Sequence, residues 1–263
     1  MQTLRFNGGS EMENNSFVPK SEKRLNSNVI KIIAIIAMTI DHTATILFPR
    51  YSPDIPVIFL HIIGRLTAPI MIFFIVEGYY HTHNIKKYLI RLFILAVISH
   101  FAYTFAFGKS FIPFKESIFD QTSIIWTLGL GLLALTVYKS ENIKNWQKQI
   151  IIFISIWAAF PADWSAPAAL AILYMGRNRN NFKKQMLCLL ACIALYTVGY
   201  FFFLNKIYGL LQMTIVFAIP ILYQYNGQRG TWKGMKWLFY IYYPLHLILL
   251  GLIRLFILHK GLL

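Results

Sequence analysis

The sequence predicts an all-α, polytopic integral membrane bundle of about nine transmembrane helices (seven to nine), with the N-terminus in the cytoplasm. Three observations predict it. Hydrophobic residues make up 57% of the chain and charged residues only 13%, against roughly 45–50% and 25% in soluble domains. Apolar runs approach the ~20 residues that cross a bilayer as a helix, whereas a β-barrel would show short alternating segments. Basic residues alternate from one connection to the next. A soluble enzyme and a disordered chain are both excluded.

Residues 1–28 are polar and carry Gly8-Gly9, Asn14-Asn15 and a Lys20, Lys23, Arg24 cluster. They read as a disordered cytoplasmic tail, with Met12 as a second candidate start. No signal-peptide pattern precedes the first apolar run. Residues 29–263 read as one transmembrane domain. Its nine apolar runs are Val29–Phe48, Val57–Tyr79, Tyr88–Phe107, Ser123–Tyr138, Gln149–Phe160, Asp163–Met175, Gln185–Leu204, Tyr208–Tyr223 and Trp237–Leu258. The fifth and sixth are short. They are either a re-entrant pair or tight spans meeting at Pro161-Ala162-Asp163-Trp164, and Pro167 is expected to interrupt the sixth.

The formal charge is +15. In a soluble protein such an excess raises nucleic acid as a partner; here topology explains it, and no nucleic acid is expected. The tail and first run hold Arg5, Lys20, Lys23, Arg24 and Lys31. Alternate connections hold Lys86, Lys87 and Arg91, then Lys139, Lys144 and Lys148, then Arg177, Arg179, Lys183 and Lys184, then Arg229, Lys233 and Lys236. The intervening ones hold only Arg50, Lys109, Lys115 and Lys206, with Lys260 at the end. That bias sets the first group inside and places the protein in the cell (inner) membrane as a multi-pass protein. Cys188 and Cys192 read as helix packing residues, with no metal site.

A charge at mid-bilayer costs at least about 2.5–3.5 kcal/mol, so intramembrane ionisable groups are where function is sought. Asp41-His42 lies in the first run, His61, Arg65 and Glu77 in the second, His100 in the third and His246 in the ninth. At 1.5 Å per residue, His42, Arg65, His100 and His246 sit about 14–20 Å from the inner ends of their runs. Asp41 and His42 point about 100° apart on a helix, which favours Asp41 pairing with Arg65 while His42 faces a cavity. Pro69 cannot bond the carbonyl of Arg65, nor Pro244 that of Tyr240, so kinks are expected beside the layer.

These residues occur within ordered motifs. Met38-Thr39-Ile40-Asp41-His42 is followed by Ile63-Gly64-Arg65-Leu66 with Pro69, Glu77-Gly78 with Thr82, Tyr88 with Arg91-Leu92 and Ser99, and Thr127-Leu128-Gly129. Tyr225-Asn226-Gly227 with Arg229-Gly230 comes next, then Phe239-Tyr240 and Tyr243-Pro244-Leu245-His246. Over about residues 30–250 the chain resembles the TraX family of integral membrane proteins, named for the conjugal-transfer pilin acetylase. The resemblance implies a membrane acetyltransferase using acetyl-CoA or another short acyl-CoA, with the acceptor, a peptide or a glycan, left open. Its motifs put Glu77, Thr82, Arg91, Thr127, Tyr225, Asn226, Arg229 and Tyr243 forward as substrate- or CoA-binding residues.

Acyl transfer from a thioester needs a base and donors for the oxyanion. His42 is the expected base, since imidazole titrates near neutral pH. Asp41 holds Arg65 or an acceptor amine, Arg65 serves the oxyanion or the donor, and His246 is the second proton-transfer candidate. The Asn226-Gly227…Gly230 turn is a candidate source of backbone donors for a phosphate. A proton-coupled transporter or exporter is the alternative, because mid-depth charges and kinked helices suit it as well. A structural partner in a secretion complex is a third reading.

Overall fold

The computed structural model describes residues 24–49, 52–112, 115 and 122–260. Most of the expected tail and Arg50 therefore lie outside the described residues. Among the described residues the nine runs appear as nine helical segments of one bundle. They are α1 (Ser27–Leu47), α2 and α3 (Ile55–Gly64, Thr67–His81), α4 (Ile85–Phe107), α5 (Ile124–Lys139), α6 (Asn145–Ala158), α7 (Ser165–Arg177) and α8 (Phe182–Phe203). The eighth segment is α9 (Lys206–Leu211), a 3-10 turn (Gln212–Phe217) and α10 (Ala218–Tyr223); the ninth is α11 (Met235–His259). The chain is thus a polytopic all-α membrane protein.

Among the described residues, six segments are long and apolar enough to cross a membrane: Ser27–Leu47, Ile55–His81, Ile85–Phe107, Phe182–Phe203, Lys206–Tyr223 and Trp237–His259. The nine crossings expected from the sequence reduce to these six by length and hydropathy; α5, α6 and α7 are shorter. For α7 the reason is burial. Ala168, Ala169, Ala171, Ile172 and Met175 are all fully enclosed, so α7 packs between α5 and α8 and is surrounded by protein. Irregular backbone at membrane depth is tolerated in such a setting. The preceding turn uses it: Trp164 and Ser165 both have positive φ.

Asparagines cap the helices at the membrane ends. Asn26, Asn84, Asn181 and Asn205 each accept a backbone N–H in the first turn of α1, α4, α8 and α9. Gly108 ends α4 with φ +65°. Three prolines mark restarts. Pro69, Pro167 and Pro220 each lie third in α3, α7 and α10, where the missing N–H has no intrahelical partner in any case. Pro167 therefore begins its helix and does not interrupt it, contrary to the sequence expectation. Pro244 lies inside α11, which runs unbroken past it.

One end of the bundle gathers Lys31, Arg91, Lys139, Arg177, Arg179, Lys184 and Arg229. There the Glu77 carboxylate pairs with Arg179, and the loop after α10 docks on the start of α1. Leu25 N–H donates to Gln224 O at 3.1 Å and Ser27 N–H to Gln228 O at 2.9 Å. At the opposite end Tyr208 donates to Ser52 O at 3.1 Å and Arg254 to Phe105 O at 3.3 Å. These are called the basic end and the distal end below.

Candidate functional site

The break between α2 and α3 falls at Arg65-Leu66, four residues before Pro69, which has no N–H to offer the Arg65 carbonyl. It turns the guanidinium toward α1. Arg65 Nη2 donates to Asp41 Oδ1 at 3.1 Å, and Nη1 donates to Gln212 Oε1 at 3.2 Å. Gln212 begins the 3-10 turn and is itself held by donating Nε2 to Tyr208 O at 3.0 Å. His61, one turn before Arg65, donates Nδ1–H to Asp41 Oδ1 at 2.8 Å. Asp41 therefore carries two cationic or donor partners from one helix pair. Gly64 makes this approach possible, since a Cβ there would overlap Cβ and Oδ1 of Asp41.

His42 projects away from this cluster, as the 100° step along α1 requires. Its Nδ1 lies 2.8 Å from His246 Nε2. His246 Nδ1 lies 2.9 Å from the backbone carbonyl of Tyr242. A carbonyl only accepts, so Nδ1 of His246 carries the proton and, in the neutral ring, Nε2 is the acceptor. His42 then donates from Nδ1, and its Nε2 keeps a lone pair. Tyr242 is anchored in turn: Thr39 Oγ1 donates to Ile35 O at 2.7 Å and receives the Tyr242 hydroxyl at 2.6 Å. The rings of Tyr242 and His246 lie nearly parallel with centroids 5.1 Å apart.

Asp41, His42, His61 and Arg65 line a cavity of about 680 Å³ that opens toward the distal end. Its wall continues with Tyr103, Tyr196, Tyr200 and Tyr208 and with the charged Asp163, Lys109 and Arg254. His246 lies behind His42, 5% exposed. A second cavity, about 340 Å³, opens at the basic end. Lys31, Arg91 and Arg229 line it with Glu77, and its interior is apolar, with Phe74, Leu92 and Leu128. Burial with Glu77 nearby pushes the Tyr225 hydroxyl up to about 12, against the pull of Arg179, so it stays a neutral donor at this cavity. The Nε atoms of Arg65 and Arg254 at the distal cavity and of Arg91 at the basic-end one are buried without a hydrogen-bond partner among the described residues.

The two cavities do not merge. On α4 the basic-end cavity reaches Leu95 and the distal one Tyr103, two turns or about 12 Å apart. Buried Met38, Ser99 and Tyr243 occupy the intervening level, and Tyr243 meets the His246 ring edge to face at 5.5 Å.

The expected catalytic residues Asp41, His42, Arg65 and His246 are thus brought together. Of the expected binding residues, Glu77, Thr82, Arg91, Tyr225 and Arg229 line the basic-end cavity, some distance from them. Thr127 is in the core and donates to Asp163 O at 2.9 Å. Tyr243 stands in the wall. Asn226 lines neither cavity: its N–H donates to Leu25 O at 2.9 Å, and its Oδ1 accepts from Gln228 N at 2.9 Å. The N–H groups of Asn226 and Gln228 are thus used within the chain where this turn docks on the start of α1, while Gly227 of the same turn lines the basic-end cavity. His100 leaves the expected layer, with Nε2 donating to Phe111 O at 3.1 Å. His61 and Arg254 carry no expected role from the sequence. His61 is four residues before Arg65, hence on the same helix face, and Arg254 is a charge inside an apolar run.

A sequence model of the family described as TraX protein matches residues 26–254. A relative from Dichelobacter nodosus, described as probable fimbrial assembly protein FimC, serogroup H1, is 30% identical over 243 residues, which is 87% of this chain and 95% of that relative. No solved structure matches the chain.

Proposed function

The chain belongs to the TraX family, and from that premise we propose that it moves an acetyl or short acyl group from cytoplasmic CoA to an acceptor reaching the distal cavity. The basic end is then the cytoplasmic end, as the alternation of Lys and Arg favours. Lys31, Arg91 and Arg229 take donor phosphates, and the apolar interior takes the pantetheine arm. The acceptor enters from the outer face. Its class is an amine or hydroxyl of a membrane-associated or exported molecule. A relative described as a fimbrial assembly protein fits an exported peptide, and the tyrosine-rich wall fits a sugar.

The observation that carries this reading is the tautomer of His42, whose unprotonated Nε2 belongs to a side chain lining the distal cavity beside Arg65. In the proposed step Nε2 takes the acceptor's proton as its oxygen or nitrogen attacks the thioester carbonyl. Arg65 stabilises the oxyanion. The C–S bond then breaks, and the imidazolium returns the proton to the CoA sulfur. Asp41 and His61 hold Arg65 in place, and His246 holds His42. The arm has to part the wall at Met38, Ser99 and Tyr243 to bring the thioester to His42. Two opposed cavities with a wall between them also suit a proton-coupled transporter, which would need no thioester. The two readings separate on one assay. Purified protein in nanodiscs is expected to bind acetyl-CoA and hydrolyse it slowly, and folded His42→Ala to bind it without hydrolysis. Wild-type protein that neither binds nor hydrolyses acetyl-CoA contradicts the enzyme reading.

A further inference from the structure

A third cavity, about 300 Å³, opens at the basic end beside the donor cavity. Lys139, Arg177, Arg179 and Lys184 converge on it from the ends of α5, α7 and α8, together with Tyr80 and Asn181. Among the described residues no carboxylate lines it. Arg179 alone reaches an acid, donating Nε to Glu77 Oε1 at 3.1 Å, which leaves three cations facing one concave space. Aromatic rings hold Lys139, Arg177 and Arg179 there. Arg177 lies 4.7 Å from the Tyr138 centroid, Arg179 4.6 Å and Lys139 6.0 Å from that of Tyr80. Tyr80 is fixed by its hydroxyl donating to Gly176 O at 2.6 Å. Topology requires positive charge in this connection, but it does not require mutually repelling side chains to gather round a pocket.

We propose that this pocket binds a phosphate group at the inner membrane surface. Guanidinium and ammonium groups around a small cavity match phosphate oxygens in charge and donor geometry. Two molecules there carry such a group. One is the CoA donor, and that source rests on the function proposed above. Glu77 lines the donor cavity while its partner Arg179 lines this one, so a nucleotide whose arm occupies the first has its distal phosphate beside the second. The other source is the headgroup of an anionic phospholipid, as for basic pockets between helices on the cytoplasmic side.

The test uses the full chain in phosphatidylcholine nanodiscs and three probes: CoA, dephospho-CoA lacking the 3′-phosphate, and phosphatidylglycerol. The variant is Lys139→Gln/Arg177→Gln/Lys184→Gln. The control is Lys87→Gln/Lys144→Gln/Lys233→Gln, which removes equal charge elsewhere. A roughly tenfold weaker CoA affinity with dephospho-CoA unchanged assigns the pocket to the donor. A similar loss of phosphatidylglycerol retention, with CoA unchanged, assigns it to lipid. If the triple variant is misfolded, Lys184→Gln alone, at the exposed rim, carries the same direction at smaller size. Unchanged binding of all three probes overturns the proposal, as does an equal loss in the control. Wild-type protein that ignores CoA but retains phosphatidylglycerol through this pocket would refute the donor reading and leave the phosphate site standing.

Discussion

His42 donates its Nδ1 proton to Nε2 of His246 across 2.8 Å, and His246 is itself fixed on the Tyr242 carbonyl. Two helices that are 204 residues apart in the chain thus set one imidazole tautomer. The lone pair left on His42 is the chemical centre of the site. Replacing His42 with Ala in a folded protein is expected to lower transfer by about 10²–10⁴-fold, read as label moved from acetyl-CoA.

His246 acts through His42, as a positioning residue. His246→Leu is expected to cut the rate by at least about tenfold and to alter its pH profile, because His42 then loses its tautomer. His246→Gln offers an amide oxygen near the former Nε2 and should recover part of the rate. Equal rates and pH profiles for both variants would remove this role.

Asp41 sits between Arg65 and His61, with its side chain 17% exposed and that of Arg65 14%. Asp41→Asn removes the carboxylate bonded to a buried guanidinium, at a cost of about 3–5 kcal/mol. Asp41→Leu/Arg65→Leu should recover much of that stability and none of the activity. Thermal unfolding in detergent, run beside the transfer assay, checks both halves.

Gly64 is required by contact, since any Cβ there overlaps Asp41. Gly64→Ala is expected to destabilise by about 1–3 kcal/mol through overpacking and to move Asp41 off Arg65. An unchanged melting temperature would mean that the two helices can separate without loss.

The intramembrane layer was legible in the sequence because charges are few and each is costly in lipid. Asp41, His42, Arg65 and His246 stood out for that reason, and the Asp41–Arg65 pair followed from the step between neighbours on a helix. The nine runs were legible from hydropathy, and the break beside Arg65 from Pro69. The division into two cavities was not. Periodicity does not distinguish a tyrosine facing a cavity, such as Tyr200, from one facing lipid. Nor does it show that the binding motifs Glu77-Gly78 and Tyr225 to Arg229 line a different cavity from His42. The shortness of α7 follows from its enclosure by α5 and α8, a tertiary fact.

Sidedness is open to a direct chemical check. In a variant lacking Cys188 and Cys192, Thr82→Cys at the basic-end cavity should react with an impermeant maleimide only from the cytoplasmic face. Thr45→Cys at the distal cavity should react only from outside. Labelling of both from one face would contradict the assignment of the two ends.

The most direct measurement supplies acetyl-labelled CoA, which does not cross membranes, to vesicles that carry the protein and its host's own acceptors. Inside-out vesicles expose the basic end to the donor and right-side-out vesicles the distal end. Label is expected on acceptor in inside-out vesicles only, and none in either kind with His42→Ala. Label in right-side-out vesicles, or undiminished label with His42→Ala, would contradict it.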